Sequence, residues 1–374
     1  MAPQGGYMKT PLGGTDLNVE VIEANRLSTK HFSMWSAIQQ TASIFANPFF
    51  CPEYTHAVAG VRSDVYVAII RRGGEITGFF PFQRGRFAMG RPVGDWLSPL
   101  NGVIISDGLN LDAHELIRRC GLRGWDFDFL PASLSQFEPH HRSTDLFSYM
   151  DLSDGYDAYV AGRSHSGTRQ ITTIVALMRK FEREIGSLKF EFHTHDTRAL
   201  DALLEWRFGK YGSSGAIDVR RNPWAWKLVQ RLQMMHSANF AGALSVLSVN
   251  EEPIAAHMGI RSRTVLHYWL PAYNPKYARY SPGLMLLLRM AQQAPVLGLR
   301  SIDLGGGLFL YKQRLMSGQY PVAEGTVGLP GPVRTASRVR RRAYQWVRKS
   351  QLLSPPARLI ARKIRQLRRA FKQG

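Results

Sequence analysis

The stretch LHYWLPAYNPKYARYSPGLMLLLRMAQQAPVLGLRSIDLGGGLFLYK, Leu266 to Lys312, carries more of the fold than any other part of the chain. It reads as a strand ending at Pro271-Ala272-Tyr273, a polar loop from Asn274 to Tyr280, and an apolar helix opened by Ser281-Pro282-Gly283. The strand Ser301-Ile302-Asp303-Leu304, the glycines Gly305 to Gly307, and Tyr311-Lys312 follow. Ser281 suits the N-cap and Pro282 the first helical position, because serine can accept a bond from a first-turn N–H and proline has no N–H to leave unpaired. Such a helix start offers donors and positive potential to a phosphorylated ligand. The same caps also serve helices that bind nothing.

Outward from this stretch, the second half of the chain resolves into elements. Strands are expected at 188–193, 243–249, 254–260 and 264–270, and helices at 197–211 and 223–239, the latter with Trp224, Leu228, Leu232 and Met235 at helical spacing. Short polar turns between the three central strands imply antiparallel hairpins, and a last strand falls near 321–327. The first half carries a weaker copy. Its hairpin 65–70 and 76–82 matches the later one with a constant offset, Ile76 to Ile254 and Phe82 to Ile260, which favours a duplicated domain. Between the halves, 168–186 reads as a basic helix with Ile171, Ile174, Leu177, Met178, Phe181 and Ile185 on one face.

Composition narrows the function classes. The 374 residues suffice for two domains with sizeable cores. Cys51 and Cys120 form neither a disulfide framework nor a metal-type Cys-x-x-Cys, so a reducing cytoplasm is expected. Residues 1–15 lack the apolar segment of a signal peptide, and no apolar run is long enough to span a membrane. The net charge of +20 is concentrated at one end: 14 of the 48 Lys and Arg lie in 332–374 with no acidic residue. That leaves 34 basic against 28 acidic residues elsewhere, a net of +6.

His257, Leu266-His267-Tyr268-Trp269, Pro271-Ala272-Tyr273, Ala278-Arg279-Tyr280-Ser281-Pro282-Gly283, Asp303-Leu304-Gly305-x-Gly307 and Tyr311-Lys312 resemble the CelD/BcsL-type acetyltransferases named for cellulose biosynthesis. Pro48-Phe49-Phe50, Phe79-Phe80-Pro81-Phe82-Gln83 and Pro92-Val93-Gly94 extend the resemblance over about Asn18 to Val327. It implies the GNAT superfamily, with Fem-type transferases as relatives. The expected fold is mixed α/β: tandem GNAT-like domains, each a mostly antiparallel mixed sheet flanked by helices. The expected division is an N-terminal tail (1–15), a degenerate domain (16–150), a linking helix (151–187), the acyltransferase domain (188–331) and a basic helical tail (332–374). The implied activity is acyl transfer from acetyl-CoA or another acyl-CoA to a glycan or sugar-precursor acceptor in polysaccharide biosynthesis. A Fem-type transferase using aminoacyl-tRNA and an inactive assembly component are the rivals. Leu308-Phe309 and Ser98-Pro99-Leu100 depart from the family pattern, which expects polar groups there.

Acyl transfer from a thioester needs a base for the acceptor, donors for the carbonyl and often an acid for the thiolate. Asp303, at a strand end, is a candidate base or acceptor anchor, or simply a cap on the glycine loop. His257 and His267 are candidates for proton transfer. With Arg261 to Arg263 as the turn they would stand opposite each other on one face. Tyr311 is the candidate acid, as a tyrosine in the equivalent region of related acyltransferases implies. Arg279, Tyr280, Ser281 and Gly283 are expected to hold the cofactor; Tyr273, Gly305, Gly307 and Lys312 to contact substrate, Lys312 and Arg314 through phosphates or an acidic sugar. No metal is expected: His193-x-His195-Asp196 and His140-His141 lack complementary ligands. In the tail, Ala336, Val339, Ala343 and Trp346, then Ile360, Ile364, Leu367 and Phe371, form apolar stripes among basic residues. That pattern fits peripheral attachment to an anionic membrane on its cytoplasmic side better than nucleic acid.

Overall fold

The computed structural model describes residues 17–209, 218–307 and 309–329. The expected N-terminal tail, Leu308 and the basic stretch 332–374 lie outside these residues. No helix among the described residues is long and apolar enough to cross a membrane.

The first half runs β1 (Leu17–Glu23), α1 (Thr29–Thr41), α2 (Pro52–Ala59), β2 (Val65–Arg72), β3 (Glu75–Arg84), β4 (Met89–Arg91), β5 (Ile104–Ile105), α3 (Ala113–Arg119), β6 (Gly124–Pro131) and β7 (His141–Asp151). Helices α4 (Tyr156–His165) and α5 (Gln170–Glu184) lead to the second half. It runs β8 (Leu188–Glu191), α6 (Thr197–Phe208), α7 (Pro223–Met234), β9 (Phe240–Val249), β10 (Glu252–Ser262), β11 (Val265–Tyr273), α8 (Pro282–Gln293), β12 (Ser301–Gly306), α9 (Leu310–Leu315) and β13 (Gly318–Gly328).

Local sequence explains these elements. In α5, Ile171, Ile174, Met178 and Phe181 are buried at three- and four-residue spacing, so one stripe packs while the charged residues stay outside. Phe181 lies edge-on to both Tyr277 and Tyr280, and its complete burial contributes about 2 kcal/mol of transfer free energy. Every residue of β9 is buried, the pattern of a strand covered on both faces.

Among the described residues the strands join in one sheet, in the order β1-β2-β3-β4-β6-β13-β7-β12-β11-β10-β9-β8, with β5 beside β3. Its centre is an exchange. The last strand of each half lies against the sheet of the other: β7 pairs with β12, and β13 with β6, while β7 and β13 pair together. The registers correspond. Ile302 opposes Met150 just as Trp125 opposes Val327, with equivalent positions 177 residues apart. The ladder between β7 and β13 includes Asp145 opposite Val322, a pair that this equivalence maps onto itself, so a pseudo-twofold axis passes there.

Alternation along β12 decides which side chains face which layer. Ile302 and Leu304 pack in a core with residues of α5 and α8. Asp303 therefore turns to the opposite face, where Phe49 and the buried residues of α6 and α7 lie.

Candidate active site

Strands β11 and β12 run parallel, paired at Val265–Ser301, Leu266–Ile302 and His267–Asp303. Past that rung they part: β11 continues to Tyr273 with pairing to β10, and β12 continues through Gly305 and Gly306 with pairing to β7. The last rung is thus two ionisable residues at the apex of a wedge. Lys312, on α9, reaches back and donates from Nζ to the carbonyls of Leu304 (2.6 Å) and Gly306 (2.5 Å), giving partners to backbone oxygens at the point of separation. Burial lowers its pKa to about 8, against the opposing charge of Asp303.

Asp303 is buried, yet its carboxylate is well supplied with donors. Asn47 Nδ2 and the Tyr320 hydroxyl each donate to Oδ2 at 2.6 Å, and the Gly305 N–H donates to Oδ1 at 2.7 Å. His267 Nδ1 stands 3.5 Å from Oδ2, an ion-pair distance without hydrogen-bond geometry. Burial pushes the carboxyl pKa up, but His267 and the donors from Tyr320 and Gly305 outweigh it, and the net displacement is below the usual carboxylate value. Gly305 has φ +67°, a conformation costly for a side chain; a Cβ there would also meet the imidazole at 3.5 Å, with Nε2 at 3.8 Å. The free side of the His267 ring therefore faces the glycine loop. Phe49 closes the ring's flank edge-on at 5.1 Å.

The structure corrects the expected pairing of the two histidines. Strand β10 extends to Ser262 and β11 begins at Val265, so His257 opposes Pro271 and His267 opposes Ile260, with a bulge between Met258 and Ile260. His257 stacks on Tyr268, whose side chain alternates with that of His267, and the two imidazoles occupy opposite faces. Gly259 permits this, since a Cβ there would lie 2.3 Å from His257 Cε1. His257 Nε2 accepts the Trp269 N–H at 3.1 Å. Burial, then the neighbouring His267, lowers its pKa to about 3, so it is a neutral acceptor with little affinity for a second proton.

The remaining candidates spread around the wedge. Tyr311 is half-buried on α9, and burial raises its pKa to about 12, opposed by the positive charge of Arg207. Tyr273 ends β11 partly exposed and lies 3.3 Å from the position of a Cβ on Gly283. Ser281 precedes α8 as expected but makes no capping bond, because it is in the left-handed region (φ 56°, ψ 53°). That conformation costs about 1 kcal/mol in a non-glycine residue. The expected role of Arg279 and Tyr280 shifts towards structure: Tyr280 donates its hydroxyl to Glu184 Oε2 at 2.5 Å and accepts from Arg279 Nη2 at 2.6 Å, tying the loop to α5. Arg314 donates to Gln170 Oε1. Gly307, at φ +101°, lets the chain turn away after β12. Among the described residues no group of three or more His, Cys, Asp or Glu is placed to hold a metal ion.

Asn47 and Tyr320 are the residues that sequence reasoning missed. Asn47 precedes the motif Pro48-Phe49-Phe50 and caps its turn by accepting the Phe49 N–H, an Asn-Pro signal that announced a turn and nothing of Asp303. Tyr320 comes from the exchanged strand β13, and nothing local to it indicates its partner. Asp303, Asn47 and Tyr320 line one wall of a cavity of about 820 Å³ at the seam between the halves, to which Leu100, Tyr149 and Arg263 also contribute.

Residues 168–313 match the family model described as an acetyltransferase (GNAT) domain, a segment that contains the wedge and α8. Among solved structures, FemX is similar with a TM-score of 0.56 at 8% identity, over 86% of this chain and 100% of FemX. A conserved protein of unknown function from Bacteroides thetaiotaomicron VPI-5482 has a TM-score of 0.50 at 10% identity, over 82% of this chain and 100% of that one. A tandem GNAT protein from the clavulanic acid biosynthesis pathway has a TM-score of 0.48 at 12% identity, over 84% and 99%. No curated protein matches the chain. At these identities the likenesses to FemX and the Bacteroides protein establish the fold alone. With the domain match, the expected mixed α/β fold with one large sheet flanked by helices holds, and residues 168–313 carry an acetyltransferase (GNAT) domain, which supports acyl transfer with an acyl-CoA as the general co-substrate of that domain.

Proposed function

We propose that this protein transfers an acyl group, acetyl in the simplest case, from acyl-CoA to an amine or hydroxyl of a glycan precursor, as the CelD/BcsL-type resemblance implies. The observation that carries the chemistry is the His267–Asp303 rung, buried at the apex of the wedge with the cavity on one side. His267 is the base. Its Nε2 takes the acceptor's proton while Asp303, supplied with three hydrogen-bond donors and 3.5 Å from Nδ1, balances the imidazolium charge. The acceptor atom bonds to the acyl carbon, the C–S bond breaks, and the electron pair leaves with the thiolate. Tyr311, protonated across the neutral range, supplies the thiolate's proton. The open edges of β11 and β12 and the uncapped start of α8 suit an acyl-CoA's pantetheine amides and phosphates. Asp303 alone is the weaker base, because its oxygens are already engaged.

We also assign the basic stretch 332–374 to attachment on the cytoplasmic face of an anionic membrane. The Fem-type relationship that the resemblance implies keeps an aminoacyl donor as the second reading.

Acetyl-CoA at 100 times its dissociation constant is expected to stabilise the full chain by about 2.7 kcal/mol, read as a rise in melting temperature. His267→Gln should lower turnover roughly 10²–10⁴-fold. A larger loss from His257→Gln would transfer the role of base to the other face. A stability gain with aminoacyl-tRNA and none with any acyl-CoA would favour the second reading.

A further inference from the structure

The cavity beside Asp303 has a charge pattern that the acyl-transfer reading does not use. Its depth is formed by Asp303, Tyr320 and Asn47, whose polar atoms already satisfy one another. At another part of its lining stand Arg263 and Arg300, brought together by the backbone: the Arg300 N–H donates to the Thr264 carbonyl at 2.7 Å. Both residues are exposed, and among the described residues neither forms an ion pair; Arg263 Nη1 reaches only Gln40 Oε1, at 3.5 Å. The other acid of the lining, Asp151, accepts the Ser153 N–H at Oδ1 (3.0 Å). Two arginines thus line the cavity without an ion pair among the described residues. The rest of the wall is rich in amides and hydroxyls, among them Gln39, Gln40, Asn239, Ser133, Ser262 and Thr264.

We propose that this cavity is the acceptor site and that it selects an anionic polyol, a sugar phosphate or a sugar acid. Guanidinium forks match phosphate and carboxylate oxygens in pairs, whereas amide and hydroxyl side chains exchange bonds with ring hydroxyls at little net cost. The volume lies within the range of small-molecule pockets and accommodates a sugar with its substituent. Arg263 and Arg300 hold the anion, and the polyol extends to the Asp303 end of the lining, beside the His267–Asp303 rung. Lys312 and Arg314, expected from sequence to hold such a group, are instead bonded to the protein itself. The inference rests on the acyl-transfer reading and adds the acceptor's charge and its place of entry.

Calorimetric titration of the full chain with glucose 1-phosphate, glucuronate and glucose tests it. At least one anionic sugar is expected to bind about tenfold or more tightly than glucose, the size of a charge-assisted bidentate contact. Which one does so separates phosphate from carboxylate. Arg263→Gln with Arg300→Gln should erase the difference, while the melting-temperature rise with acetyl-CoA persists and reports an intact fold. Equal binding of all three sugars by the wild-type chain, or an undiminished preference in the double variant, would overturn the proposal. Absence of any acyl-CoA response in the wild type would instead count against the acyl-transfer reading.

Discussion

The two halves of the sheet share a topology and differ in what they place at the corresponding rung. In the second half, β11 and β12 pair over three rungs that end at His267 and Asp303. In the first, β4 and β6 pair in parallel at Met89–Gly124 and Gly90–Trp125, and the next position in register brings Arg91 towards Asp126. Asp126 is the counterpart of Asp303, 177 residues earlier, but it accepts a bond from Thr326 Oγ1, and no imidazole stands in register with it. The glycines Gly305 and Gly306 correspond to Asp128 and Phe129. Strand β4 ends where β11 runs on for six more residues, so the first half has no comparable wedge. Aromatic packing among Trp125, Phe127 and Phe137 fills that region. A repeated topology therefore supplies a place for chemistry, and strand length, a histidine and two glycines decide whether it is used. The first half contributes in another way, sending Asn47 and Phe49 across to the second half's rung.

The exchange of strands gives the most drastic way to break this comparison. Ending the chain at Ser317 removes β13, which borders both β6 and β7, so both halves should lose cooperative unfolding together; survival of either half's transition in denaturant would show that the halves fold independently. Next in size, Asp303→Asn should reduce acyl transfer roughly 10²–10⁴-fold, whereas Asp126→Asn should leave turnover within about a factor of two. Comparable losses from the two variants would mean that the first half also takes part in catalysis.

The smallest effect concerns pH. His257 has a folded-state pKa near 3, below the unfolded value of about 6.5, so the unfolded chain binds a proton first as the solution is acidified. Stability is thus highest above about 6.5 and falls as the pH drops towards the folded value. Asp303, also lowered, loses its contribution only below its unfolded value of about 3.9. Between pH 6.5 and 4, His257→Gln should therefore flatten part of the slope in urea stability. An unchanged slope would mean that the imidazole gains access to a proton in the folded state.

Much of the fold was legible because it rests on local rules. The short polar turns between β9, β10 and β11, the stripe of α5 and the proline start of α8 gave element types in order, and the hairpin offset pointed to the repeat although Ile76–Ile254 and Phe82–Ile260 lie one residue off the 177 that relates the halves. Boundaries moved where context took over. Helix α7 stops at Met234, ahead of the expected Asn239, because the chain turns there into β9 at Phe240. The histidine pairing failed for a related reason, since a shorter turn and the bulge at Gly259 reset the register.

The sequence by itself determined the class of fold, its duplication and the residue types available at the ends of β11 and β12, since each follows from periodicity, turn chemistry and residue chemistry over short spans. Only the tertiary structure decided which residues act together. Asp303 meets Asn47, 256 positions earlier, and Tyr320 on the exchanged strand; His257 and His267, ten positions apart, are turned to opposite faces. The physical reason is that a strand's pleat sends neighbouring side chains to different environments, while the sheet's ladder brings remote segments within a hydrogen bond of one carboxylate.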